Sequence, residues 1–181
     1  MRIVTWNVNN GDLATKLSRV VEHFQPDVAV MTEVSKPKSN LANLHWMEDS
    51  KTRGIAVYVS PEFSISPISA NGPLHRCVHG YRISGRSSFA LLACWSHAVT
   101  GKDDYRQCWV EGIAAYEKYL AGKDVVIAGD LNDNAIWDRD YPDQAFEKIF
   151  NGFRERHNVV SVYHRFHAEQ YGKESRYSLF S

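Results

Sequence analysis

An α/β fold is predicted for this chain on three observations. Val125-Val126-Ile127-Ala128-Gly129-Asp130 is a continuous apolar run that stops at a glycine and a carboxylate, the pattern of a buried strand whose end faces a cleft. Residues 3–6 and 27–33 are two further strand-like runs, and between them Leu13, Leu17, Val20, Val21 and Phe24 recur at helical spacing. A second helical stripe, Trp109, Ile113, Tyr116 and Leu120, feeds the run at Val125 through a short connection of the kind α/β folds use.

Each element follows in order. Residues 3–6 are β-branched and aromatic, and they stop at Asn7-Val8-Asn9-Asn10-Gly11, a cluster of turn formers. Asp12 is the expected N-cap of the first helix and Pro26 closes it. The second strand, 27–33, ends on Glu33, and a strand-helix-strand unit brings Asn7 and Glu33 to one edge of a sheet. Residues 35–50 read as a polar loop carrying Trp46. Residues 54–59 are the next strand, 61–68 a turn with its neighbour, and 81–83 a weaker strand. Residues 88–95 form a strongly apolar strand that ends on Ser96 and His97. A loop at 101–104 leads into the second helix, which Gly122 ends. Beyond Asn134 the expectation is a loop over 135–141 carrying Trp137. A helix over 143–153 follows, with Gly152 as its stop signal, and then short strands at 159–163 and 177–180.

The 181 residues, 44% of them apolar and without linker or repeat, are enough for one domain, 1–181. Lys plus Arg equals Asp plus Glu at 21 each, so no global field draws in nucleic acid. A local basic rim remains open to Lys36, Lys38, Arg53 and Arg139. Cys77, Cys94 and Cys108 are odd in number and lack CxxC spacing, which argues against disulfides and for a reducing compartment. With strand-like sequence at the N-terminus and no run of transmembrane length, the expectation is a cytoplasmic protein that does not engage membranes. His75, Cys77 and His79 would share one face of a strand, but a zinc site would lack its fourth ligand, and packing is the preferred reading.

Four strands end in chemically useful groups: Asn7, Glu33, His97, and Asp130 with Asn132. If the backbone stays extended, Asp130 and Asn132 project from one face about 7 Å apart. The carboxylate can take a proton or hold a cation, and the carboxamide can donate to a phosphate oxygen. An Asx-rich turn is the alternative reading of the same residues. A hard cation such as Mg²⁺ suits one or two carboxylates with amides nearby, and Glu33 is the expected ligand.

Thr5-Trp6-Asn7, Asp27-Val28-Ala29-Val30-Met31-Thr32-Glu33-Val34, Gly54-Ile55-Ala56-Val57, Trp95-Ser96-His97 and Gly129-Asp130-Leu131-Asn132 resemble, in order, the motifs of the endonuclease/exonuclease/phosphatase superfamily, which includes DNase I-like nucleases. The resemblance implies a four-layered α/β sandwich, two mixed β-sheets flanked by helices. It implies Glu33 as the principal Mg²⁺ ligand, with Mn²⁺ as a substitute, and Asn7 beside metal and phosphate. It implies Asp130 as the group that positions the attacking water, Asn132 as a phosphate-binding amide and His97 as a group on the transition state. Arg106, at the entry to the second helix, is a further candidate for phosphate.

The chain departs from the family at its C-terminal end, where a strand carrying an Asp and His pair has no counterpart before Ser181. His157, His164 and His167 precede that place and read as surface or packing residues. A C-terminally shortened fold would leave a sheet edge open to pairing with another chain, a route to a homo-oligomer. The functional expectation is a Mg²⁺-dependent phosphodiesterase acting on nucleic acid. A phosphatase or lipid phosphodiesterase on the same scaffold, or a weak or non-catalytic binding module, are the alternatives.

Overall fold

The computed structural model describes residues 1–49, 52–71, 76–97, 105–140 and 145–176, so His75, the loop at 101–104 and the strand at 177–180 lie outside the described residues. The chain divides into two compact units, Met1–Asn132 and Asp133–Ser181.

The first unit contains two four-stranded mixed sheets. In one, β1 (Ile3–Asn7), β2 (Val28–Ser35), β4 (Arg53–Val59) and β3 (Leu44–Glu48) lie side by side in that order. β1 runs parallel to β2, and the other pairings are antiparallel. In the second sheet β5 (Ser64–Pro67), β6 (Val78–Ser84), β7 (Phe89–Trp95) and β8 (Val125–Asp130) are neighbours, with only β7 and β8 parallel. Each parallel pair needs a crossover, and α1 (Leu13–Phe24) supplies one while α2 (Tyr105–Ala114) and α3 (Glu117–Leu120) supply the other.

Val30, Val57, Tyr81, Leu91 and Ala93 belong to one buried cluster between the sheets. Alternate residues face outward, where Met31 and Ala56 meet Leu13 and Leu17 of α1. On the outer side of the second sheet Tyr116 packs so closely on Gly80 that a Cβ there would lie 2.5 Å from its ring. Helix, sheet, sheet, helix is the layer order, as the family resemblance implied.

Several expectations change in detail. Asp12 caps α1 by accepting from the Thr15 N–H at 2.9 Å, but Phe24 at the far end of the stripe is exposed. The stretch 35–50 contains the half-buried edge strand β3. The second helical stripe is broken into α2 and α3, with all four of its apolar residues buried. β8 is half-buried along its length, because it has a sheet neighbour on one side only among the described residues.

The absence of disulfides is corrected. Cys77, just before β6, and Cys108 in α2 are bonded across a Cα separation of 6.3 Å, within the span a disulfide needs. Spacing in sequence says nothing about that proximity, and the argument for a reducing compartment loses its support. Cys94 is the free cysteine, and burial pushes its thiol up to about 12.

In the second unit residues Ala135–Asp140 form a 3₁₀ turn, followed by α4 (Phe146–His157) and α5 (Val162–His167). Gly152 does not stop α4, which runs on to a left-handed cap at Asn158. The strand expected at 159–163 is replaced by α5, because Ser161 caps a helix there. His164 is a packing residue, 2.7 Å from Ser161 Oγ, 2.9 Å from Glu174 Oε1 and ring to ring with Tyr171 at 4.0 Å. No helix of the described residues is long and apolar enough to cross a membrane.

Asp27 holds the first unit together at the end opposite the strand termini. Its carboxylate accepts the Arg2 N–H at 2.6 Å and pairs with Arg86 from the β6–β7 turn. The Arg2 hydrogen bond, and then Arg86, hold its pKa below the ordinary 3.8. A depressed carboxylate contributes stability that is present above its unfolded pKa and lost as pH falls through the folded one. Urea melts between pH 5 and about 2 are expected to fall more steeply for the wild type than for Asp27→Asn. Parallel acid profiles would show that this carboxylate does not contribute in that way.

Candidate active site

The two crossover units deliver the C-terminal ends of β1, β2, β7 and β8. Asn7 lies opposite Thr32 in the β1–β2 register, and Trp95 opposite Asp130 in the β7–β8 register. Asn7 is the hub of the first three groups. Its Nδ2 donates to Glu33 Oε1 at 2.9 Å and to Asp130 Oδ2 at 2.7 Å, while its Oδ1 accepts the Asn9 N–H at 3.0 Å. That last bond fixes which way the amide faces, and one side chain bridges the two sheets.

Glu33 reaches this place through a β-bulge. Pairing of β2 with β4 shifts between Met31 and Val34, and Glu33 has a φ of +57°. Strict alternation would put Met31 and Val34 on opposite faces, yet both pack in the cluster under α1. The extra residue is Glu33, turned towards the sheet end. A non-glycine residue there costs about 1–3 kcal/mol, strain that bulges beside active sites commonly carry. Arg53 Nη1 sits 2.5 Å from Glu33 Oε2, and the loop after β1 donates the Asn10 N–H to the Glu33 carbonyl at 3.0 Å.

Asp130 closes β8, but the chain does not continue extended. Asn132 has a φ of +47° and its N–H donates to Asp130 Oδ1 at 2.9 Å, which is an Asx turn. The expected same-face projection of Asp130 and Asn132 is therefore corrected. The Asn132 amide instead donates to the Ser96 carbonyl at 2.7 Å, and the Ser96 N–H donates to the Asp130 carbonyl at 2.9 Å. These two bonds tie the end of β8 to the residue just before His97.

His97 has a partner the sequence did not suggest. Asp49, just past β3, has a side chain with no exposure, and its Oδ2 lies 3.3 Å from His97 Nε2. Neither Asp49 oxygen makes a hydrogen bond among the described residues. Its charge also opposes the downward push of burial on His79 and adds to the upward push on Cys94. A buried carboxylate so thinly satisfied is expensive, and such groups concentrate at functional sites. The His97 ring meets Trp95 edge-on at 4.6 Å.

Other candidates fall elsewhere. Arg106, the further phosphate candidate, is wholly buried in α2. Lys36 and Lys38 line a cavity of about 330 Å³ with Gly11, Asp12 and Ser35. Lys36 Nζ also lies 5.9 Å from the centre of the Trp46 ring. Trp137 and Arg139 belong to the 3₁₀ turn of the second unit.

Glu33 and Asp130 supply carboxylate oxygens of the kind a hard divalent cation takes, while Asn7 faces both with its NH2 and keeps its oxygen on the Asn9 N–H. Among the described residues no group of three or more His, Cys, Asp or Glu could hold a metal by itself. Two carboxylates match the sparse way Mg²⁺ is held in phosphate chemistry.

The profile of the Endonuclease/Exonuclease/phosphatase family matches residues 4–168. Comparison with curated protein sequences finds no match. Among solved structures the chain is similar to the endonuclease domain of TRAS1, a telomere-specific non-LTR retrotransposon, at 14% identity and a TM-score of 0.61 over 85% of this chain and 71% of that one. It is also similar to the human Nocturnin catalytic domain, at 13% identity and a TM-score of 0.62 over 92% and 73%. A third is the 3′ phosphatase NExo from Neisseria bound to product DNA hairpin, at 16% and 0.60 over 90% and 77%. At these identities the likeness speaks for the fold.

Proposed function

The chain belongs to the Endonuclease/Exonuclease/phosphatase family, and from that premise we propose that it is a Mg²⁺-dependent hydrolase of phosphodiester bonds in nucleic acid. The observation that carries this reading is the Asn7 amide, bonded at once to Glu33 and Asp130 from strands of two different sheets. Carboxylates gathered in that way have no structural need of each other, because two like charges repel.

Glu33 would hold the cation, Mg²⁺ or in its place Mn²⁺, and Asn7 would join it only if its amide turns its oxygen away from the Asn9 N–H. When bound, the cation would neutralise charge growing on the phosphate oxygens. Asp130 orients the attacking water and takes its proton as the new O–P bond forms. A carboxylate has about four lone-pair positions, so the bonds from Asn7 and the Asn132 N–H leave it capacity. His97, set by Asp49 and by the Ser96 tether, gives a proton to the leaving oxygen as the old P–O bond breaks. Asn132 acts first by holding β8 to β7, and contacts phosphate only if it leaves the Ser96 carbonyl.

Nucleic acid is preferred as substrate because Lys36 and Lys38 place positive charge along the cavity after β2. The similar Neisseria phosphatase holds a product DNA hairpin, which supports the same choice.

The test is cleavage of a supercoiled plasmid, a single-stranded oligonucleotide, a short-chain phospholipid and a phosphomonoester, with Mg²⁺, Mn²⁺ or EDTA, beside Glu33→Gln. Nucleic-acid cleavage that needs the cation and falls about 10²-fold or more in the variant is the expected result. Turnover confined to the monoester or the lipid would move the assignment to the phosphatase or lipid reading. Cleavage indifferent to EDTA and to Glu33→Gln would refute it.

A further inference from the structure

We propose that Lys16 is a positioning residue for this site: its ammonium clamps the loop between β1 and α1, and the loop in turn keeps the Asn7 NH2 directed at Asp130. The proposal rests on the reading of Asp130 as the group that acts on water, and it adds a residue that does not touch the reacting groups.

The loop has a backbone that needs support. Asn9, Asn10 and Gly11 have φ of +43°, +67° and +101°, three left-handed residues in succession. Glycine takes such angles freely and asparagine tolerates them singly, but a run of them is not self-sustaining. Lys16, in the first turn of α1, reaches back over the loop, and its Nζ donates to the carbonyls of Val8 and Asn10. An ammonium has three donors and no acceptor, so one side chain can hold both carbonyls. On the other flank Ser35 Oγ donates to Asn10 Oδ1 at 2.5 Å. A Cβ on Gly11 would lie 3.0 Å from Lys16 Cε, so the glycine also makes room for the lysine.

Two N–H groups of this loop serve the site. Asn9 donates to Asn7 Oδ1 at 3.0 Å, and Asn10 donates to the Glu33 carbonyl at 3.0 Å. The first bond decides which way the amide faces: with its oxygen on Asn9, Asn7 offers its NH2 to Glu33 and Asp130. If the Asn9 N–H drifts away, nothing in the loop opposes a half-turn of the amide. Its oxygen would then face a carboxylate oxygen with no proton between them, and Asp130 would lose the donor that aims it. Misaiming a reacting group by about 1 Å costs up to about 10²-fold in rate.

A lysine that merely covers its neighbour predicts otherwise. Lys16 Nζ lies 5.6 Å from the centre of the Trp6 ring, and a stem that only shields that ring could become methionine without consequence for Asn7.

The experiment compares wild type with Lys16→Met, which keeps the stem and removes the charge, and with Lys16→Arg, which keeps the charge. Lys16→Gln stands in for Lys16→Met if urea melts show that variant unfolded. Solvent exchange of the Asn7 side-chain amide is followed by NMR in isotope-labelled protein, its signal identified by its loss in Asn7→Ser. Oligonucleotide cleavage is measured on the same proteins at saturating Mg²⁺. The expected result in the folded charge-free variant is Asn7 exchange about tenfold faster, kcat about tenfold lower and KM within about twofold of wild type. Lys16→Arg is expected to recover most of both losses. Unchanged Asn7 exchange in the charge-free variant overturns the clamp, and losses as large in Lys16→Arg overturn the role of the charge. Faster exchange with unchanged kcat overturns the service of the clamp to the reaction. A wild type that cleaves nothing refutes the phosphodiesterase reading, while the exchange comparison still decides whether Lys16 sets Asn7.

Discussion

Asp130→Asn is expected to lower kcat for phosphodiester cleavage by about 10²- to 10⁴-fold, the usual contribution of a positioned proton acceptor. The substitution keeps one oxygen, which can accept the Asn132 N–H and hold the Asx turn. It also sets an NH2 against the Asn7 Nδ2 that now donates to Asp130, so a stability loss of about 1–3 kcal/mol is expected beside the kinetic one. KM should move little, since the lost group acts on the water and not on the bound diester. Steady-state kinetics with an oligonucleotide, read beside a urea melt, check both halves. A variant that retains wild-type kcat would remove Asp130 from the chemistry. A variant that unfolds would mean the carboxylate holds the sheets together instead.

Gly129→Ala is expected to destabilise the protein by about 4 kcal/mol, near the upper end of what single substitutions do. Gly129 has a φ of +133°, and a Cβ built on it would overlap the carbonyl oxygen of Cys94. The obstacle is backbone, because Cys94 is its partner in the β7–β8 register. β8 would have to move away from β7, which would loosen the Ser96 N–H bond to the Asp130 carbonyl and the Asn132 tether. Activity should fall with stability, although no reacting group is altered. Urea denaturation measures the effect, and a loss below about 1 kcal/mol would mean the strand tolerates the side chain.

The strands were legible where apolar runs were long and cleanly ended. β1, β2, β4, β7 and β8 lie within about a residue or two of their expected bounds, as does the start of α1 at its Asp12 cap. β3 was not legible, because Leu44-His45-Trp46-Met47-Glu48 mixes polar and apolar residues on a half-exposed edge. α5 was misread as strand because Val159-Val160-Ser161-Val162-Tyr163 is rich in β-formers, and one local cap at Ser161 outweighed them. Gly152 failed as a stop because a glycine inside a helix costs only about 1 kcal/mol.

The same division runs through the site. Asn7, Glu33, His97 and Asp130 could be named because each ends a recognisable strand. Asp49 could not, since it follows the unrecognised β3 and meets His97 only through the packing of one sheet on the other. The bulge at Glu33 leaves no mark in an apolar run, so the meeting of Glu33 with Arg53 was invisible too. The burial of Arg106 was not legible either, because its neighbours in sequence read as a loop entry.

We read the ends of β1, β2 and β8 as a cation-dependent phosphoesterase centre. Diffraction from crystals soaked in Mn²⁺, collected at the manganese absorption edge, checks that reading. An anomalous peak on Glu33 and near Asp130 is expected, with the Asn7 amide no longer bridging the two carboxylates. Manganese bound elsewhere, with Asn7 still bridging Glu33 and Asp130, would refute it.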